Sequence, residues 1–148
     1  MTTYSFKDLS GALAHPVAGQ FPFAGQIGMG QITVTMNTER TTHDLAADGS
    51  IMVSYIAGDN GQIAIEVQQT SDLHAFLLAW YNGIKSAADA GDPTEWASAA
   101  VTLRNVVDGS QHVCTGVSPS KIPDKVYAAQ GGKITWVLMC ADIQSVIA

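Results

Sequence analysis

The stretch Gly61-Gln62-Ile63-Ala64-Ile65-Glu66-Val67-Gln68 decides the fold. Ile63, Ile65 and Val67 fall on one side of an extended chain, and Gln62, Ala64, Glu66 and Gln68 on the other, because successive strand side chains point to opposite faces. Gln31-Ile32-Thr33-Val34-Thr35-Met36-Asn37 repeats the pattern. There Ile32, Val34 and Met36 share one face, and Gln31, Thr33, Thr35 and Asn37 share the other. Each strand thus has one apolar and one mildly polar face, as in an antiparallel sheet packed on one side only.

Working outward, Ile51–Ile56 reads as a further strand, with Gly58-Asp59-Asn60-Gly61 as a turn. Thr38 to Gly49 is polar and too long for a tight turn, although Asp48-Gly49 is a strong hairpin signal. Toward the N-terminus, Gly19, Pro22, Gly25, Gly28 and Gly30 mark a loop from Gly19 to Gly30. Before it, Tyr4 and Phe6 alternate with polar residues in a first strand that runs toward Leu13. After Gln68, Ser71 is a good N-cap and Asp72 suits the positive end of a helix dipole. Leu73, Phe76, Leu77, Trp80, Ile84 and Ala87 recur at three- to four-residue spacing, one apolar stripe of an amphipathic helix. Gly91 and Pro93 stop it. Strands follow at Ala99–Val106 and Gln111–Val117 around an Asp108-Gly109 turn. A link punctuated by Pro119 and Pro123 leads to an element at Lys125–Ala129. A Gly131-Gly132 turn then opens Lys133–Ala141, with Ile134, Trp136 and Leu138 opposite Lys133, Thr135, Val137 and Met139. The predicted architecture is mostly β: an antiparallel sandwich or flattened barrel with one flanking amphipathic helix, in a single domain over residues 1–148.

Of the 148 residues, 47% are hydrophobic and only 14% charged. Disorder is excluded, since it requires low hydrophobicity and high charge. About a quarter charged is usual for a soluble domain, so a surface this poor in charge points to burial against partners. The net charge is −6, with no basic patch to grip phosphates, which argues against sequence-specific nucleic-acid binding. Between Thr41 and Glu95 lie eight acids and one base, Lys85. That tract is either a solvated face or a surface that repels something anionic. No basic run precedes an apolar stretch at the N-terminus, so no signal peptide is predicted. No apolar run approaches the ~20 residues of a membrane-spanning helix. The product is expected to be cytosolic at synthesis and reduced.

Reactive chemistry finds no pattern. His15, His43, His74 and His112 are scattered without metal-ligand spacing, and His74 reads as an edge-of-core residue. His43-Asp44 is an adjacent pair whose side chains would point to opposite strand faces. Gly25 to Gly30 lacks the order of a nucleotide-binding loop, and Asp59-Asn60-Gly61 lacks the ligands of a calcium loop. Cys114 and Cys140 lack zinc-finger spacing, and Cys140 reads as a small core residue. No cofactor, metal or catalytic residue is predicted. Trp80 and Trp136 fall on apolar faces, whereas Trp96 is ambiguous.

The order of motifs carries a resemblance. It comprises Thr3-Tyr4-Ser5-Phe6-Lys7-Asp8; Gly30–Val34 leading to Thr41–Ser54 around Ala47-Asp48-Gly49-Ser50; Gly61–Val67; Thr70-Ser71-Asp72 opening the helix with Trp80-Tyr81-Asn82; and Tyr127–Trp136. Together these resemble the small tail tube proteins of contractile-tailed bacteriophages. The resemblance implies a virion structural protein whose hexameric rings stack into a tube inside a contractile sheath. It implies the tail sheath, tape-measure, baseplate and tail-terminator proteins as partners, and DNA passing through without specific binding. It also implies sheets joined between subunits into one barrel around the lumen, and a long hairpin reaching a neighbour. Strand parity then assigns Gln31, Thr33, Thr35, Asn37, Gln62, Ala64, Glu66 and Gln68 to the lumen, with Ser50, Met52 and Ser54 beside them. Glu66 is either a ring of lumen carboxylates or a solvated edge residue. The polar segment containing Arg40, Thr41, His43, Asp44 and Asp48 is expected to be an arm against an adjacent subunit. The alternative to a tube protein is a non-enzymatic β-sandwich that binds carbohydrate or protein.

Overall fold

The structure, a computed structural model, describes residues 3–16, 18–24 and 28–147. Its strands are β1 (Leu9–His15), β2 (Gly19–Ala24), β3 (Met29–Met36), β4 (Thr41–Leu45), β5 (Ile51–Tyr55), β6 (Gly61–Gln68), β7 (Ala99–Asn105), β8 (Ser110–Pro119) and β9 (Lys133–Ile147), with one helix, α1 (Asp72–Asp89), between β6 and β7. Seven strands form one antiparallel sheet in the order β2-β1-β7-β8-β9-β6-β3, and β4 and β5 form a separate two-stranded sheet. The main sheet curls into a half-barrel with the helix against it, so the predicted mostly-β class with one flanking helix holds.

Alternation dictates the packing of β6 and β9. Gly61, Ile63, Ile65 and Val67 are buried, while Gln62, Ala64 and Glu66 are half-buried on the other face. Ile65 stands opposite Trp136, and Ile63 opposite Leu138. Ser71 caps α1 by accepting from the Leu73 N–H at 3.2 Å, satisfying one of the free donors of the first turn. From that start the 3.6-residue period turns Leu73, Leu77, Trp80 and Ile84 into the core, with Phe76 half-buried beside them. Trp80 and Trp136 are almost wholly buried, each removing a large apolar area from water.

A bulge bends the sheet between β7 and β8, where Ala99 pairs with Val117 but Val101 pairs with Cys114. Gly116 sits in the extra position with φ of +63°, a left-handed conformation that glycine adopts without Cβ strain. Beyond it the buried set of β8 changes parity: Cys114 and Val117 both point inward, as do Cys140 and Ile143 across from them.

Four expectations are corrected. Phe6–Asp8 is a 3-10 turn capped by Ser5 rather than strand, because the Ser5 hydroxyl accepts from Lys7 N–H and closes the chain locally. Gly19–Ala24 is not loop but edge strand β2, with Pro22 opposite Ala12. An edge strand tolerates a residue without an N–H. Residues 25–27 of that predicted loop lie outside the described residues. Lys125–Ala129 forms no regular element. Finally, β9 continues past Ala141 to Ile147, paired along β8 as far as Ser110.

Candidate functional site: a polar sheet face and a projecting hairpin

Two surfaces stand out. The first is the polar face of β3, β6 and β9. Gln31, Thr33 and Thr35 are exposed on β3, while Ile32 and Val34 are half-buried on the other side. Register places Thr33 beside Ala64 and Thr35 beside Gln62. Glu66 stands opposite Thr135, and Gln68 opposite Lys133. Asn37 is exposed just beyond β3, where its N–H donates to the Asn60 carbonyl at 3.0 Å. On this face Glu66 and Lys133 meet: Glu66 Oε1 lies 3.5 Å from Lys133 Nζ. A bulge between Met29 and Gln31 lays Gly30 against this pair, where a Cβ would overlap the Glu66 carboxylate. Glu66, read from sequence as either a lumen carboxylate or a solvated edge residue, is therefore partnered within the chain. Sequence reasoning missed Lys133, although its position opposite Gln68 follows once β6 and β9 are known to pair.

The second surface is the β4–β5 hairpin, inserted between β3 and β6. Every residue of β4 is exposed, and in β5 only Ser54 is half-buried. The polar segment around Thr41–Leu45 thus belongs to a hairpin of its own. Thr41, His43 and Leu45 share one face with Tyr55, Val53 and Ile51, whereas Thr42 and Asp44 share the other with Ser54 and Met52. The first face is apolar and open to solvent, with Leu45 71% and Tyr55 74% exposed. Ser54, together with Ser50 and Met52, belongs to this hairpin and not to the sheet face to which parity alone assigned it. At the tip, Asp48 Oδ1 accepts from the Ser50 N–H at 3.0 Å, and the Ser50 bonds hold its carboxyl below the usual range. At the base, Arg40 donates to the Tyr55 hydroxyl at 2.8 Å and pairs with Asp59. The Tyr55 hydrogen bond, then the charge of Asp59, hold the guanidinium above its ordinary pKa. Asp59 in turn accepts through its carbonyl from the Ile143 N–H, which ties the arm to β9.

The remaining candidates disperse. His15 is buried, its Nδ1 accepting from Ala18 N–H at 3.1 Å and its Nε2 donating to the Glu95 carbonyl at 2.9 Å. His74 Nδ1 accepts from Trp136 Nε1 at 3.1 Å, and burial lowers its pKa. His112 lies 2.7 Å from the Ser145 hydroxyl. His43 and Asp44 lie on opposite hairpin faces, as expected. Cys114 and Cys140 are free, buried thiols. The hydrogen bond between them, together with burial, pushes Cys114 up. Among the described residues, no group of three or more His, Cys, Asp and Glu side chains could hold a metal ion. Trp96 is half-buried, edge-on to Tyr81 at 6.2 Å, whereas Trp80 and Trp136 are almost wholly buried. No helix of the described residues is long and apolar enough to cross a membrane.

A family model of the bacteriophage PhiTE tail tube protein matches residues 1–148. The chain belongs to that family. It is a structural protein of the inner tail tube, located in the virion tail. Among curated proteins, no sequence matches this tail tube chain significantly. Its fold is similar to the sheath–tube complex of an extracellular contractile injection system, PVC, in the extended state, with a TM-score of 0.58 at 8% identity over 99% of this chain and 93% of the other. The sheath/tube terminator of the same system gives 0.63 at 9% identity, covering 99% and 98%. The tail of an empty GTA particle, refined helically with C6 symmetry, gives 0.53 at 14% identity over 99% of each chain. At such identities the likeness is one of fold.

Proposed function

We propose that residues 1–148 act as one domain that closes into homo-hexameric rings, and that the rings stack into a tube conducting DNA. The observation that carries this reading is the pair of unpaired sheet edges, β2 and β3, in a sheet with one polar face. Open edges invite pairing with another chain, and joining β3 of one subunit to β2 of the next would merge six curled sheets into one barrel with no edge left. The C6 symmetry of the similar GTA tail supports the ring size. The face of Gln31, Thr33, Thr35, Asn37, Gln62, Ala64, Glu66 and Gln68 would line the channel. Neutral amides and hydroxyls, with the one carboxylate compensated by Lys133, neither grip nor strongly repel phosphates. DNA would therefore slide without specific binding.

The hairpin of Arg40, Thr41, His43, Asp44 and Asp48 would contact an adjacent subunit, which would cover its apolar face. Sheath, tape-measure, baseplate and terminator proteins are the partners this role requires. Similar structures come from a sheath–tube complex, a baseplate and a tube-terminating cap. The role is non-enzymatic and needs no cofactor. Negative-stain microscopy of concentrated, purified protein tests it. Six-fold rings and tubes are expected, and a protein that stays monomeric at high concentration would contradict the reading.

A further inference from the structure

The two ends of β6 carry opposite chemistry. At its Gly61 end the arm projects, bearing Glu39, Asp44 and Asp48, while its arginine, Arg40, is already paired with Asp59. At its Gln68 end lies the irregular segment from Lys121 to Lys133. Three of the seven Lys and Arg residues of the chain, Lys121, Lys125 and Lys133, fall in it, with Asp124 the one acid. Gln69 fastens that strap to the end of the sheet: its Nε2 donates to the Val126 carbonyl at 2.7 Å, and its Oε1 accepts from the Gly132 N–H at 3.3 Å. Ser120 bonds the Val137 carbonyl at the other end of the strap. The strap is anchored by its backbone and by buried Pro123, while the side chains around it are exposed, Val126 at 70% and Tyr127 at 86%. Among the described residues, Lys121 and Lys125 make no ion pair.

Lys133 is already paired with Glu66, so Lys121 and Lys125 against Asp124 leave the strap a small positive surplus, opposite in sign to that of the arm, and each end also exposes apolar residues. Eight residues of strand, about 26 Å, separate the ends. Two such patches on one chain cannot meet within it, but a copy translated along the β6 direction brings them together. A contact between different patches is heterologous and propagates without limit.

We infer that the acidic arm of one subunit docks on the lysine strap of a second copy in the adjoining ring, so that the strap is the receptor for the arm. This inference rests on the stacked-ring reading. It gives the stacking interface a polarity, arm at one face of the ring and strap at the other. An acidic arm also disfavours anionic lipid or nucleic acid as its occupant.

Charge exchange in the full chain tests it. Glu39→Lys with Asp44→Lys reverses the arm, and Lys121→Glu with Lys125→Glu reverses the strap. Asp48 is left alone because it holds the turn. Each pair alone should keep ring size and melting temperature, yet raise the concentration needed for tube growth at least about tenfold, since like charges then face each other. All four together should restore growth. Tubes that grow normally from either pair, or a fourfold variant no better than the pairs, would overturn the inference. Wild-type protein that forms no rings would instead overturn the tube reading itself. Should a reversal unfold the chain, mixing Asp44→Cys chains with Lys125→Cys chains decides the matter. Disulfide-linked heterodimers under mild oxidation support the docking, and their absence from assembled tubes refutes it.

Discussion

Glu66 Oε1 lies 3.5 Å from Lys133 Nζ across the polar face of the sheet, over the bulge at Gly30. A partly exposed pair of this kind, its lysine open to solvent, contributes little stability, about 0–1 kcal/mol. Its consequence is electrostatic: the Glu66 carboxylate is compensated within its own chain. Glu66→Lys sets two ammonium groups side by side and shifts the charge of the face by +2 in every subunit. Tubes should still assemble, since Glu66 lies on the face of β6 opposite its buried set of Ile63, Ile65 and Val67. DNA ejection from phage carrying the variant should slow and become salt-dependent, because charge screening sets in over about 8 Å at physiological salt. Unchanged ejection with failed ring stacking would place Glu66 at an interface instead.

Trp136 Nε1 donates to His74 Nδ1 inside the core, which requires the imidazole to be neutral on that nitrogen. Burial, and then Lys125, lower the pKa of His74 below its ordinary value of 6.5. The unfolded chain therefore takes up a proton at a pH where the folded chain does not. Stability from this group is complete above about pH 6.5 and falls as pH drops toward the lowered folded value. Thermal melts between pH 7.5 and 5 should show this loss. His74→Gln, which cannot titrate, should flatten the slope over that window.

Gly116→Ala places a Cβ in a left-handed backbone conformation and 2.7 Å from the Ala141 Cβ. The backbone alone costs about 1–2 kcal/mol, and the contact adds to it. Ala141→Gly in the same chain should recover the contact part and leave the backbone part, so chemical denaturation should show partial rescue. Full rescue would mean that the bulge tolerates the left-handed strain.

Replacing residues 41–55 with a short Gly-Ser turn removes the exposed hairpin and leaves the seven-stranded sheet. The cooperative melt should shift by less than about 1 kcal/mol, as for other changes at exposed positions. Tube growth, followed by sedimentation, should be lost. Normal tubes from this chain would remove the arm from assembly.

What the sequence determined by itself is the local geometry. In Gln31–Met36, Gln62–Gln68 and Lys133–Cys140 the period of two sorts side chains between faces, and in α1 the period of 3.6 does the same, with Ser71 marking the start. These patterns depend only on neighbours along the chain, so they survive into the fold unchanged. The tertiary structure decided which strands share a sheet, because pairing joins residues far apart in sequence. That is why Ser54, in a strand read correctly as such, belongs to the arm and not to the polar sheet face. It is also why Gly19–Ala24, rich in turn residues, is a strand: β1 supplies the hydrogen bonds that its own composition does not call for. The pairing of Glu66 with Lys133 and the bend at Gly116 have the same origin. Both arise from the registers of β6, β8 and β9, and no single segment contains them.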